Sequence, residues 1–159
     1  MAALASAWVA LLIAAPILPL ILGVPLYGVG AVICHQLSER SFHLAGAQLP
    51  VCARCLGIYA GAAAVMVVFA SVARVFTARV ARRKAAPYRL LMAGAAPTVV
   101  TVVLEWAGLW GTSNVTRAIA GAPLGVAAGA LLAGAVATLH YGRCPSTRPS
   151  ESNPPPAPI

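Results

Sequence analysis

Charge is scarce in this chain, and its scarcity excludes the commonest class of protein first. Charged residues make up 9% of the 159 positions against 60% hydrophobic ones, too few to solvate the surface of a soluble domain of this size. The solvent is therefore lipid. Acids are rarer still, three against eleven Lys and Arg. The resulting net charge of +8 invites a nucleic-acid reading, but the positive charge lies beside apolar runs and no aromatic stacking surface accompanies it. Anionic lipid headgroups are the expected partners, and nucleic acid is not. There is no soluble domain and no repeat with a convincing period. An ordinary secretory signal is excluded too, because the first residues lack a basic stretch and the apolar run that follows is too long.

What is present organises itself around the few charges. They leave four apolar segments, roughly residues 3–32, 51–73, 88–110 and 115–139, each long enough for the ~20 residues of a bilayer-spanning helix. The expected fold is an all-α integral membrane bundle of four transmembrane helices over residues 1–141, with a Cys/His-bearing loop between the first and second spans. Residues 142–159 form a proline-rich tail with no apolar face to bury, expected to be disordered and to hold Cys144 as a free thiol. The first segment carries Pro16, Pro19, Gly23, Pro25 and Gly28. It reads as one kinked crossing running into a short interfacial helix that ends at Cys34, in preference to a hairpin, since no polar turn lies between Pro19 and Pro25.

Orientation follows from Arg74, Arg79, Arg82, Arg83, Lys84 and Arg89, which have no acid among them. Such a cluster marks a cytoplasmic loop. Both termini are then cytoplasmic, the Cys/His loop faces outward, and the setting is the plasma membrane of a prokaryote. Small residues suggest how the spans pack: Gly57 and Gly61 on the second, and Gly121, Gly125 and Gly129 on the fourth, repeat at four-residue spacing that lets backbones approach. Contacts inside the protomer are the favoured reading, and a homo-oligomer is the other use of the same spacing.

The chemistry is concentrated in one polar segment. Cys34-His35-Gln36-Leu37-Ser38-Glu39-Arg40-Ser41-Phe42-His43, with Cys52-Ala53-Arg54-Cys55 beyond it, holds three of the four cysteines and two of the three histidines. Cys52 and Cys55, three apart, share a face if a helix starts near Pro50, with Tyr59 below them. A helix N-terminus favours thiolate, the form that ligates a metal. Two cysteines, a loop and a Cys-His pair resemble a tetrahedral zinc site, so Cys34, His35, Cys52 and Cys55 are the candidate ligands, with zinc expected first and iron second. Adjacent residues on a regular helix diverge, so Cys34 and His35 ligate together only if the backbone turns sharply between them; His43, Glu105 or water are the other candidates for the fourth position. Covalent c-type haem is excluded because Leu56, not His, follows Cys55. A disulfide exchange pair at Cys52 and Cys55 remains the redox alternative, without any thioredoxin-like context or quinone motif to support it.

Glu105 is the other position with a strong physical prior. A carboxylate within an apolar span usually faces the bundle interior and pairs with a base or joins a functional path. Arg117, starting the next span at similar depth, is the expected partner for an ion pair; a role as catalytic base or partner to the metal site is the sharper reading. Ser113 or Asn114 is placed to cap the fourth helix. His140, at the far end of that helix, reads as a headgroup-level residue.

Cys34-His35-Gln36, Glu39-Arg40-Ser41-Phe42, Gly46 and the run from Pro50 to Gly61 resemble the signature of the domain-of-unknown-function 2085 family of small predicted integral membrane proteins. Ser113-Asn114, Arg117 and Gly121 resemble that family's later polar motif, and the likeness extends from about residue 16 to 130. Where the family pattern is expected to carry an Asp and then a Gln in the third span, this chain has Thr101 and Glu105. The resemblance implies a membrane setting and strengthens the site without naming a reaction. The functional expectation is an extracytoplasmic-side metal site, in a metalloenzyme acting on a lipid-like or anionic substrate or in a binding or scaffold protein. Arg40, His43, Arg54, Tyr59 and Arg117 would line or support the site, the arginines being suited to phosphate or carboxylate.

Overall fold

The computed structural model describes residues 1–72 and 86–141. The basic cluster Arg74 to Lys84 and the tail 142–159 with Cys144 lie outside the described residues, as does the side chain of His140. The described chain is helical apart from one β-hairpin: α1 (Ala2–Ala14), a 3-10 turn (Ala15–Ile17), α2 (Leu20–Ile33), a second 3-10 turn (Ser38–Arg40), β1 (Ser41–Leu44), β2 (Ala47–Cys52), α3 (Ala53–Val72), α4 (Ala86–Trp106) and α5 (Asn114–Tyr141).

Three helices, α3, α4 and α5, are long and apolar enough to cross a membrane, and the count reaches four when α1 and α2 are taken together as one bent span. Their outer faces carry exposed Val67, Val68, Val99, Val103, Ile119 and Leu132, as side chains solvated by lipid do. Exposed Trp106 and Tyr88, 18 residues apart on α4, stand about 27 Å from each other at 1.5 Å per residue, close to one hydrocarbon thickness.

The glycine spacing on α3 and α5 does its work inside the protomer. A Cβ on Gly57 or Gly61 would strike the carbonyls of Ala118 or Ala122, and one on Gly121 or Gly125 those of Arg54 or Ile58. Missing side chains thus set the separation of the two helices. α4 joins them through Gly94, packed on the Pro123 carbonyl, and through Thr98, whose hydroxyl donates to the Ala120 carbonyl at 2.8 Å.

Two expectations are corrected. The first is the angle of the kink in the single crossing: α1 and α2 are bent by 119° at the break around Pro19, far beyond a proline kink, and by length and composition the pair counts as one broken span or a re-entrant segment. Pro16 opens the 3-10 turn and Pro19 precedes α2 without an amide hydrogen to continue a helix. α1 runs antiparallel to α3, with Trp8 edge-on to Tyr59 at 6.3 Å, and its elbow reaches β2. Strand β2 touches that elbow and also, through the Cys52 amide, Cys34 at the far end of α2. α2 therefore turns across the end of the bundle and ends at Cys34, where the sequence expected its short helix to end.

The second correction concerns the all-α class. The loop between Cys34 and Cys52 is an antiparallel hairpin that pairs Ser41 with Cys52, His43 with Gln48 and Leu44 with Ala47, with an irregularity between Ser41 and His43. Its two-residue turn, Ala45-Gly46, has φ of 52° and 82°, the positive pair that matches strand twist in tight hairpins. Side chains fasten it to α2: the Tyr27 hydroxyl donates to the Gln48 carbonyl, and the Gln36 amide donates to the carbonyls of Tyr27 (2.9 Å) and Pro50 (2.8 Å). Gly30 is packed so tightly on the Pro50 carbonyl that no Cβ fits. Leu12, Ala15, Leu49 and Val51 are buried where α1 meets the hairpin, at the end of the bundle that carries the cysteines.

Candidate metal centre

Each cysteine reaches the site from a different local structure. Cys34 ends α2 in extended conformation (φ −149°), Cys52 closes β2, and Cys55 sits on the first turn of α3. The strand-to-helix change between Ala53 and its predecessor turns Cys52 toward the face that Cys55 occupies. The three sulfurs lie within 4.8 Å of one another, and the backbone N–H of Cys52 donates to the Cys34 sulfur at 3.2 Å. A hydrogen bond from the Cys55 thiol lowers the Cys52 thiol to about 5 against the opposing effect of burial. All three cysteines are free thiols.

This donor set fits a thiophilic metal. Three sulfurs at the ~2.3 Å bond length of tetrahedral zinc stand about 3.8 Å apart, within the spread observed. The cluster contains the three cysteines without His35, which is exposed and stands on the wall of the adjoining cavity. Cys34 and His35 diverge, as neighbouring residues with no sharp turn between their side chains do. His43 is exposed on β1, its ring 3.2 Å from the Ser38 hydroxyl. Tyr59 lies a turn below Cys55, half-buried against Trp8.

Beside the sulfurs is a cavity of about 450 Å³, lined by Cys34, Cys52, Cys55, His35, Arg40, Arg54 and Arg117 together with apolar groups of α2 and α3. Beneath it, α4 and α5 supply the expected ion pair, and α3 adds a second one to the same carboxylate. Oε1 of Glu105 accepts from Arg117 Nε at 3.2 Å and from Arg54 Nη2 at 3.1 Å, and also from the Thr112 hydroxyl. Arg54 reaches Thr101 at 3.5 Å. Glu105 does not itself line the cavity. Its Oε2 and Arg54 Nε are buried without a partner among the described residues.

Arg117 is held from the other side by the Asn114 side-chain oxygen at 2.9 Å, and its guanidinium also donates to the Glu39 carbonyl at 3.4 Å. The Asn114 amide in turn donates to the carbonyl of buried Ser41 at 2.9 Å, which ties α5 to the hairpin. Ser113 caps α5, accepting from the Thr116 amide at 3.2 Å. Sequence reasoning had no grip on Thr112, whose buried hydroxyl sits in a turn with no spacing signature. Thr101 carried a weak signal, a polar side chain in an apolar span, and Gln36 stood within the polar segment without a role of its own.

The fold and site together define an α-helical membrane protein with a three-cysteine cluster at one end of its bundle. The chain belongs to the family described as "Predicted membrane protein (DUF2085)", which it matches over residues 34–131, the segment holding every cavity arginine and all three clustered cysteines. Two archaeal relatives are both described as uncharacterised. One, from Methanocaldococcus jannaschii, is 48% identical over 44 residues, 28% of each chain. The other, from Methanothermobacter thermautotrophicus, is 34% identical over 94 residues, 59% of this chain and 78% of the relative. The match thus spans little more than a quarter of the first relative and most of the second. No solved structure matches.

Proposed function

We propose that Cys34, Cys52 and Cys55 hold one zinc ion on the extracytoplasmic side of the membrane, with its fourth position open to the cavity for an anionic ligand or substrate. The observation that supports this is the gathering of three sulfurs on the wall of a cavity that also carries three arginines. A structural zinc site usually closes with four protein ligands, whereas three protein ligands leave a place for exchange. When bound there, zinc supplies a Lewis acid that polarises an oxygen presented from the cavity.

The chain's own residues hold the geometry. Hydrogen bonding from the Cys52 amide orients the Cys34 sulfur. Glu105 acts in this reading as a positioning residue: one oxygen takes both Arg54 and Arg117 and fixes their guanidinium planes at the cavity floor. His35 on the cavity wall is a titratable group that shares the cavity with the sulfurs. The basic cluster from Arg74 to Arg89 supports the outward orientation of this end, with α1 pointing its N-terminus and α5 its C-terminus toward the cytoplasm.

Elemental analysis of the purified protein, paired with thiol counting, tests the reading. The expected result is about one zinc per chain, lost in Cys52→Ser and Cys55→Ser because each replaces a thiolate by a poor ligand. Metal-free protein with a Cys52–Cys55 disulfide would overturn it in favour of thiol exchange.

A further inference from the structure

The cavity has two unlike walls, and their difference identifies the kind of ligand it takes. One wall is cationic. Arg40, Arg54 and Arg117 stand there, and although Glu105 neutralises part of this charge, it engages only Arg54 and Arg117. Arg40 has no side-chain partner among the described residues, and Arg54 Nε is buried without an acceptor. A zinc ion bound by three thiolates keeps one negative charge and Glu105 adds a second, so three guanidiniums still outweigh both. Anions are favoured at this wall.

The other wall is the last turn of α2. Val32 and Ile33 line the cavity and are also 86% and 44% exposed, so the same short stretch faces both the cavity and the surroundings of the bundle. α2 lies across the bundle end, packed on β2 and the elbow, and Leu20, Ile21, Leu22, Val24 and Val29 earlier on the same helix are exposed as well. A helix this apolar is immersed in the leaflet, which puts acyl chains at the cavity mouth. A soluble anion would use the cationic wall and gain nothing from the apolar one.

We propose that the cavity receives a lipid with a phosphate headgroup, entering sideways from the adjoining leaflet past Val32 and Ile33, with the phosphate at Arg40 and Arg54 and the chain along α2. This rests on the reading of the same cavity as open to a ligand, and it names that ligand's class.

The test is lipid binding by the purified full chain in detergent, read by native mass spectrometry. The probes are phosphatidic acid, phosphatidylcholine with the same chains, and inorganic phosphate as competitor. Zinc content and thermal midpoint are read on the same samples. One phosphatidic acid per chain is expected, with affinity about tenfold or more above phosphatidylcholine, since a charged hydrogen-bonded contact is at stake. Arg40→Gln should remove that preference, and Val32→Gln should weaken both lipids while the thermal midpoint holds. Equal affinity for the two lipids, an unchanged preference in Arg40→Gln, or displacement of the lipid by millimolar inorganic phosphate would each overturn the proposal. The two readings fail separately: Arg40-dependent lipid binding by protein without zinc removes the metal and leaves the lipid site. Zinc-loaded protein without headgroup preference removes the lipid site alone.

Discussion

At the scale of single residues, the three cysteines and Glu105 carry unequal risks. His35 decides whether the coordination is open: His35→Ala should keep its zinc, because the imidazole is exposed and outside the sulfur cluster. Loss of zinc in that variant, read by elemental analysis, would mean a closed four-ligand site. Glu105→Gln should lower stability by about 3–5 kcal/mol, the cost of leaving buried charges without a counter-ion, measured as a fall in thermal midpoint. Arg117→Met in that background should restore only part of the loss, since Arg54 also spends its guanidinium on the same oxygen; complete rescue would show that the Arg54 contact contributes nothing. The cysteines and the Glu105–Arg117 pair were legible in the sequence because thiols at three-residue spacing and a carboxylate in an apolar run have few bland uses. Arg54 as a second partner and Thr112 as a donor were not legible, because both depend on how α3, α4 and the turn before α5 meet in space.

At the scale of elements, the glycines of α3 and α5 carry the packing. Gly125→Ala should destabilise by roughly 1–3 kcal/mol, as an atom forced into a filled space does, because its Cβ would strike the Ile58 carbonyl. Gly134→Ala on the same helix meets nothing within 4 Å and should leave the thermal midpoint unchanged or raise it slightly. Equal effects in the two variants would contradict the close approach of α3 to α5. The spans were legible from composition, and the glycine seam from its spacing. The hairpin was hidden because residues 41–52 hold few β-branched or aromatic side chains, and Ala45-Gly46 lacks the Asn or Asp that usually announces a two-residue turn. Prolines marked the break between α1 and α2, but its 119° angle comes from α2 packing on β2, a long-range contact that no local pattern encodes.

At the scale of the whole molecule, the cysteine cluster sits at the start of α3 (Ala53–Val72), and the basic residues of the sequence follow that helix in chain order. A reporter cysteine near Gly46 should react with an impermeant reagent in intact cells, and one near Lys84 only after permeabilisation. The reverse pattern would turn the site toward a reducing compartment and favour kept thiols over disulfides. The membrane class was legible from charge scarcity alone, whereas the number of crossings depends on whether α1 and α2 act as one span, which composition cannot decide. The central claim is that three sulfurs and no fourth protein sulfur surround one zinc ion. X-ray absorption at the zinc edge of the purified protein tests it most directly: the account predicts about three sulfur neighbours at ~2.3 Å and one lighter atom near 2.0 Å. A shell without sulfur, or one with four, would contradict it.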